Sequence, residues 1–100
     1  MKRSKQEHQF KEKVYRIVAS IPHGKVLSYQ QVAEIAGSPH AYRAVGNILN
    51  KHQIKKLPCH RVIKSDGGVG GYRWGKKKKI MLLKKEGVKI NAKGKIIFER

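Results

Sequence analysis

The tripeptide Gly37-Ser38-Pro39 constrains what this chain can fold into more than any other stretch. Glycine adopts the left-handed backbone that ends a helix, serine caps a new one, and proline suits a first helical turn. A helix stop and a helix start on consecutive residues place two helices in a tight turn. Ser28, with Gln31 three residues later, has the capping-box pattern and opens the first of them, with Val32, Ile35 and Ala36 inward. The second runs to about residue 50. Ala41, Ala44, Val45 and Ile48 follow a helical core spacing, and Arg43, Asn47 and Asn50 fall on the opposite side. Two short helices, the second showing Arg and Asn to solvent, make a helix-turn-helix pattern. An ordinary helical hairpin has the same spacing, so charge must separate the two.

Charge favours DNA. Twenty-four Lys and Arg face six acids, a net +18 on 100 residues. Such an excess repels itself and suits a phosphate-rich partner whose counterions are released on binding. A highly soluble or heat-adapted surface is the alternative. No apolar run approaches the roughly 20 residues of a membrane span, and the basic start Met1-Lys2-Arg3-Ser4-Lys5 is not followed by the apolar region of a secretory signal. One cysteine provides no disulfide framework and fits a reducing compartment: cytoplasmic and nucleoid-associated, or nuclear in a eukaryote. The length suits one domain.

The remaining elements follow from periodicity. Residues 6–20 read as a helix with Phe10, Val14, Ile17, Val18 and Ile21 on one face, ended by the turn Pro22-His23-Gly24-Lys25. Residues 61–64 suit a strand, Ser65-Asp66-Gly67-Gly68 a turn, and residues 69–72 a returning strand that completes a wing. Residues 76–86 read as a last helix, with Ile80, Leu82 and Leu83 apolar and Gly87 as its stop. A second hairpin around Asn91-Ala92-Lys93-Gly94 fits residues 88–98. The expected architecture is α+β, mostly helical: a winged helix-turn-helix with a small β wing.

The chemistry concentrates at Pro58-Cys59-His60-Arg61, which holds the single cysteine. This stretch resembles the active-site motif of the O6-alkylguanine-DNA alkyltransferases, the methylated-DNA–protein-cysteine methyltransferases. The resemblance continues, in order, through Gly24-Lys25-Val26, Ser28-Tyr29-Gln30-Gln31-Val32-Ala33, Arg43-Ala44-Val45-Gly46, Gly71-Tyr72-Arg73-Trp74-Gly75 and Leu82-Leu83 to Glu86-Gly87. It covers roughly residues 9–88 and corresponds to the family's C-terminal catalytic and DNA-binding domain; the N-terminal domain of many members has no counterpart in this sequence.

The resemblance implies stoichiometric repair of double-stranded DNA containing O6-alkylguanine. The damaged base is flipped into a pocket, and the Cys59 sulfur displaces guanine from the alkyl carbon to become a stable thioether. In the family a glutamate orients the histidine, which activates the cysteine through a water; these roles fall to Glu86, His60 and Cys59. Arg43 matches the arginine that fills the space left by the flipped base, as a planar guanidinium can. Tyr29 matches the tyrosine that assists flipping, and Tyr42, Ala44, Gly46 and Asn47 fall on the same DNA-binding helix. Tyr29, Pro58, Val62, Tyr72, Arg73 and Trp74 would line the alkylguanine pocket, Trp74 narrowing it toward methyl adducts. No cofactor and no metal are implied, because the acceptor is the protein itself. The expected state is a monomer, with a second repair protein as a candidate partner.

Two features set this chain apart from the family pattern. Where many members have an Asn-Pro pair before the active-site segment, this chain has Asn50-Lys51-His52-Gln53-Ile54-Lys55-Lys56-Leu57, leaving Asn50 or His52 to take the asparagine's place. Small alkyltransferase-like proteins bind alkylated guanine without accepting the alkyl group, commonly with Trp at the cysteine position; Cys59 favours transfer. Among other classes, one Cys with His23, His40, His52 and His60 gives no zinc-site spacing. A cysteine protease would leave the DNA features unexplained. A winged helix-turn-helix binding module and a basic structural protein with an incidental thiol remain as alternatives.

Overall fold

Helix boundaries in this protein follow from caps, and the burial between them sets the rest. The computed structural model describes residues 5–52, 54 and 56–97. Helix α1 spans Lys5–Ala19, and Val14, Val18 and Ile21 enter the core from one face. A short strand, β1 (Leu27–Ser28), runs directly into α2 (Tyr29–Ile35). The capping box forms as expected. The Ser28 hydroxyl accepts from the Gln31 backbone N–H at 3.0 Å, and the Gln31 side chain accepts from the Ser28 N–H at 2.8 Å. Helix α2 stops in a Schellman motif at Gly37, whose φ of +87° glycine adopts without strain. Ser38 N–H reaches Ala33 O at 2.9 Å, and Gly37 N–H reaches Glu34 O at 3.0 Å.

That motif changes the turn expected from the sequence. Ser38 does not cap the next helix: α3 has no side-chain cap bond, and the Ser38 N–H serves the end of α2. Ser38–Ala41 is a β-turn closed by Ala41 N–H to Ser38 O at 2.9 Å, with Pro39 at the position its fixed φ suits. Helix α3 therefore starts later, spanning Tyr42–Lys51 with Ala41 at its N-cap. The inward faces shift as well. Ile35 is 60% exposed, while Ala33 is buried with Val32 and Ala36. At 100° per residue, Ile35 lies about 110° from the centre of that trio, off the face that packs on α1 and α3. On α3, Ala44 is exposed and Ala41 half-buried; Val45 and Leu49 form the buried stripe, with Ile48 at its margin.

Beyond α3 a single 3-10 turn, Cys59–Arg61, leads into strand β2 (Val62–Ile63). Strand β2 pairs in parallel with β1, Leu27 opposite Val62 and Ser28 opposite Ile63. The wing differs from expectation. Residues 65–68 do turn tightly, with Gly67 N–H on Lys64 O at 3.0 Å and Lys64 N–H on Gly68 O at 2.8 Å. Residues 69–72 nevertheless do not return as a strand. Val69 packs into a second apolar cluster with Ile63, Leu83 and Ile96, which draws the backbone away from β2, and Gly68 bridges Lys95 instead. The C-terminal hairpin is reduced to a turn and one antiparallel bridge, Ile90 to Ile96; Phe98 lies outside the described residues.

Helix α4 spans Lys76–Lys85 and ends in a second Schellman motif: Val88 N–H to Leu83 O and Gly87 N–H to Lys84 O, both 3.0 Å. Leu83 is fully buried, and so is Lys79. Lys79 Nζ donates to Val62 O at 2.6 Å and Gly71 O at 3.0 Å, and it sits 5.6 Å from the Tyr29 ring centroid. One ammonium thus ties α4 to β2, to the glycine segment and to α2. Burial pushes it down to about 8, against the pull of a Cys59 thiolate. Lys79→Ala removes its aliphatic stem and the ammonium bonds to Val62 O and Gly71 O, the second of which keeps only the longer 3.4 Å bond from the Tyr29 hydroxyl. The expected cost is about 3 kcal/mol in urea denaturation, against under about 0.5 kcal/mol for the exposed neighbour in Lys78→Ala. Among the described residues, no helix is long and apolar enough to cross a membrane.

Candidate active site and nucleic-acid interface

The parallel β1–β2 pair decides where the chemistry gathers. It sets the N-terminus of α2 beside the segment that follows Cys59, so that Tyr29 and Tyr72 both pack against the core cluster containing the thiol. Cys59 is a free cysteine, 4% exposed, at the start of the 3-10 turn. The same turn presents His60 and Arg61 to Glu86, which occupies the C-cap of α4.

Glu86 is gripped by three residues. His60 Nε2 lies 2.7 Å from Oε2. Arg61 donates from Nε to Oε1 and from Nη2 to Oε2, both at 2.9 Å, a bidentate fork. The Gly24 N–H adds a longer bond of 3.3 Å, and Arg61 Nη1 also donates to Ile21 O at 2.8 Å. Burial alone would raise the carboxyl, but the bonds from Arg61, His60 and Gly24 outweigh it and hold Glu86 at about 2. A carboxylate at the negative end of a helix is unfavourable by itself; here the guanidinium offsets it.

The thiol has a different neighbour. His52 Nε2 lies 3.2 Å from Sγ, and His52 Nδ1 accepts the Ile54 N–H at 3.0 Å. Of the two residues left open by the sequence, His52 is therefore the one that links α3 to Cys59. The Asn50 carbonyl instead accepts from Arg73 Nη1 at 2.9 Å. Burial pushes the Cys59 thiol up, while Lys79, the Cys59 backbone N–H and Arg73 pull it down less strongly. Burial, then the thiolate, also raises Tyr29 and Tyr72, which keeps both phenols protonated at neutral pH.

The expected pocket and interface residues separate into two groups. Tyr29, Tyr42, Arg43 and Gly46 line a cavity of about 510 Å³. Gly70 closes one side of it at φ +74°, where an added Cβ would stand 3.2 Å from the Tyr29 ring. Arg43, Ala44 and Asn47 are exposed on α3. Pro58, His60, Tyr72 and Trp74 line a second cavity of about 660 Å³. Arg73 lines neither, lying 5.7 Å from the Trp74 ring centroid with its guanidinium on Asn50. Both residues of β2 are buried, and Val62 meets the site through its carbonyl, which accepts from Lys79 Nζ.

Two residues near the thiol were not assigned from the sequence as its neighbours. Lys79 is hidden in a basic run, although it stands four residues before Leu83 and seven before Glu86, on the same helical face. His52 lies three residues after Leu49 and seven after Val45, continuing the buried stripe of α3. Helical phase was the available signal for both.

Fold and site together define a basic helix-turn-helix domain carrying one thiol beside an ordered imidazole–carboxylate pair. Residues 9–88 match the family described as "6-O-methylguanine DNA methyltransferase, DNA binding domain". The chain belongs to this family. It is 46% identical over 84 residues to a methylated-DNA–protein-cysteine methyltransferase of Saccharolobus islandicus, covering 83% of this chain and 54% of that protein. Among solved structures, S. pombe Atl1 in complex with damaged DNA containing O6-carboxymethylguanine superposes with a TM-score of 0.78 at 30% identity, covering 99% of this chain and 93% of that one. The Mycobacterium tuberculosis OGT–DNA complex gives 0.71 at 34% identity, covering 86% and 51%. The chain thus spans about half the length of these methyltransferases and nearly all of Atl1.

Proposed function

We propose that this protein repairs double-stranded DNA by moving the alkyl group of O6-alkylguanine, methyl above all, irreversibly onto Cys59. The observation that carries this reading is one cluster: a free thiol at the head of the turn that also delivers His60 and Arg61 to Glu86. In the reaction the thiolate sulfur bonds to the alkyl carbon, the carbon–O6 bond breaks, and its electrons remain on guanine, which regains a proton from water. Glu86 holds His60, and His60 takes the thiol proton through a water. Tyr29 and Arg43 stand on the same cavity, where Tyr29 assists the flipped base and Arg43 fills the stack. Tyr42, Ala44, Gly46 and Asn47 meet the duplex along α3, and Pro58, Tyr72, Arg73 and Trp74 bound the adduct. The basic surface makes binding fall steeply with salt.

Intact mass after incubation with a duplex carrying one O6-methylguanine tests the proposal. A gain of one methyl group, mapped to Cys59, is the expected result; tight lesion-dependent binding with no gain would overturn it. That second outcome is the reading favoured by two observations: the close likeness to Atl1 over nearly its full length, and the burial of Cys59 at 4% exposure. Arg43→Ala provides a further check. Its side chain is exposed, so stability should change by under about 0.5 kcal/mol, while single-turnover repair slows about tenfold or more. An unchanged repair rate would remove Arg43 from the flipping step.

A further inference from the structure

We propose that His52 is the direct hydrogen-bond donor to the Cys59 thiolate, so that one imidazole holds the nucleophile while a second, His60, is held by Glu86. The relevance to repair rests on Cys59 being the alkyl acceptor, but the interaction itself is read without DNA. Geometry assigns the tautomer. His52 Nδ1 accepts the Ile54 N–H at 3.0 Å, and a ring nitrogen that accepts carries no proton. The neutral ring therefore has its proton on Nε2, which lies 3.2 Å from Sγ. In that state Nε2 is a donor to sulfur and has no lone pair with which to take the thiol proton. His52 stabilises the thiolate; it is not the base.

The surroundings keep the ring in this form. Protonation would place an N–H on Nδ1 facing the Ile54 N–H, and burial, with Arg73 behind it, already holds His52 below the usual imidazole range. The ring is locked edge-on between Tyr15, 6.4 Å away, and Trp74, 5.6 Å away. The other groups that act on the sulfur come from different elements. Lys79 of α4 and Arg73 before Trp74 favour the thiolate through charge, Tyr29 of α2 and Tyr72 remain protonated beside it, and His60 is engaged with Glu86. A neutral donor at 3.2 Å adds to the two cations without adding charge, and so counters the burial that raises the thiol. Once the sulfur is alkylated it becomes an uncharged thioether and a weak acceptor, so transfer itself loosens the His52 bond.

The test is the pH–rate profile of Cys59 alkylation by iodoacetamide on the full chain without DNA. His52→Phe keeps a ring between Tyr15 and Trp74 but has no N–H. His52→Gln restores a donor at about the position of Nε2. The expected result is a profile for His52→Phe displaced upward by about one pH unit, tenfold slower at neutral pH, with His52→Gln recovering most of the difference. Superimposable profiles for the wild type and His52→Phe would overturn the proposal, as would equal displacement in both variants, which would mark a packing role. Ring 15N shifts of the wild-type protein test the same point without a substitution: protonated Nε2 is expected, and protonated Nδ1 would overturn it. The displacement in His52→Phe, together with no methyl gain from DNA by the wild type, would refute the proposed repair function and leave the His52 bond standing.

Discussion

Replacement of Cys59 by serine is expected to abolish methyl gain completely while leaving lesion-dependent DNA binding close to the wild-type level. A serine hydroxyl is a far weaker acid than a thiol, and without an ionised nucleophile the displacement does not proceed. The proposed binding surface, in contrast, is elsewhere. Arg43, Ala44 and Asn47 project from α3, and the thiol is 4% exposed, so exchanging sulfur for oxygen changes almost none of the area a duplex can touch. The measurement pairs intact mass with binding to a fluorescent O6-methylguanine duplex. Loss of both activities would mean that Cys59 holds the fold, whereas full binding with no wild-type transfer to lose would make the chain a recognition protein.

Glu86→Ala is expected to cost about 3–5 kcal/mol of stability in urea denaturation, because it strands the Arg61 guanidinium, largely buried at 15% side-chain exposure, without its counter-ion. Repair should slow in parallel, since His60 loses the bond that orients it. The acid dependence follows from the carboxyl being held at about 2. The folded-state value lies below the unfolded one of about 4.3, so the stabilisation is fully present above the unfolded value and is lost as pH falls from there toward 2. The wild type should therefore lose up to about 3 kcal/mol across that window, and the gap between wild type and variant should narrow with it. A gap that stays constant from pH 5 to pH 2.5 would show that Glu86 acts through packing alone. The double substitution Arg61→Met with Glu86→Leu should recover much of the stability and none of the repair rate.

Position in the fold explains why some of this was legible in the residues and some was not. The Ser28–Gln31 capping box, the stops at Gly37 and Gly87, and the amphipathic face of α1 could all be read directly, because each depends on contacts within a few residues. The start of α3 lies three positions beyond the expected one because Ser38-Pro39 enter a β-turn closed by Ala41 N–H on Ser38 O instead of a first helical turn. The wing was misread for a non-local reason. Val69 gains more from apolar burial with Leu83 and Ile96 than from a ladder with β2, and β2 found its partner in β1, some 35 residues upstream.

The same division holds at the site. The family resemblance assigns the proposed chemistry to Cys59, His60 and Glu86, and a lone thiol in a chain of net charge +18 already pointed to a nucleophile acting near phosphate. The Ser28–Gln31 box and the stops at Gly37 and Gly87 are properties of short spacings, which is why residue order was enough for them. Tertiary packing decided that Lys79 is buried rather than solvated and that the His52 imidazole reaches the sulfur. Each of these depends on which surfaces are excluded from water together, and desolvation is a property of the assembled fold that local spacing does not encode.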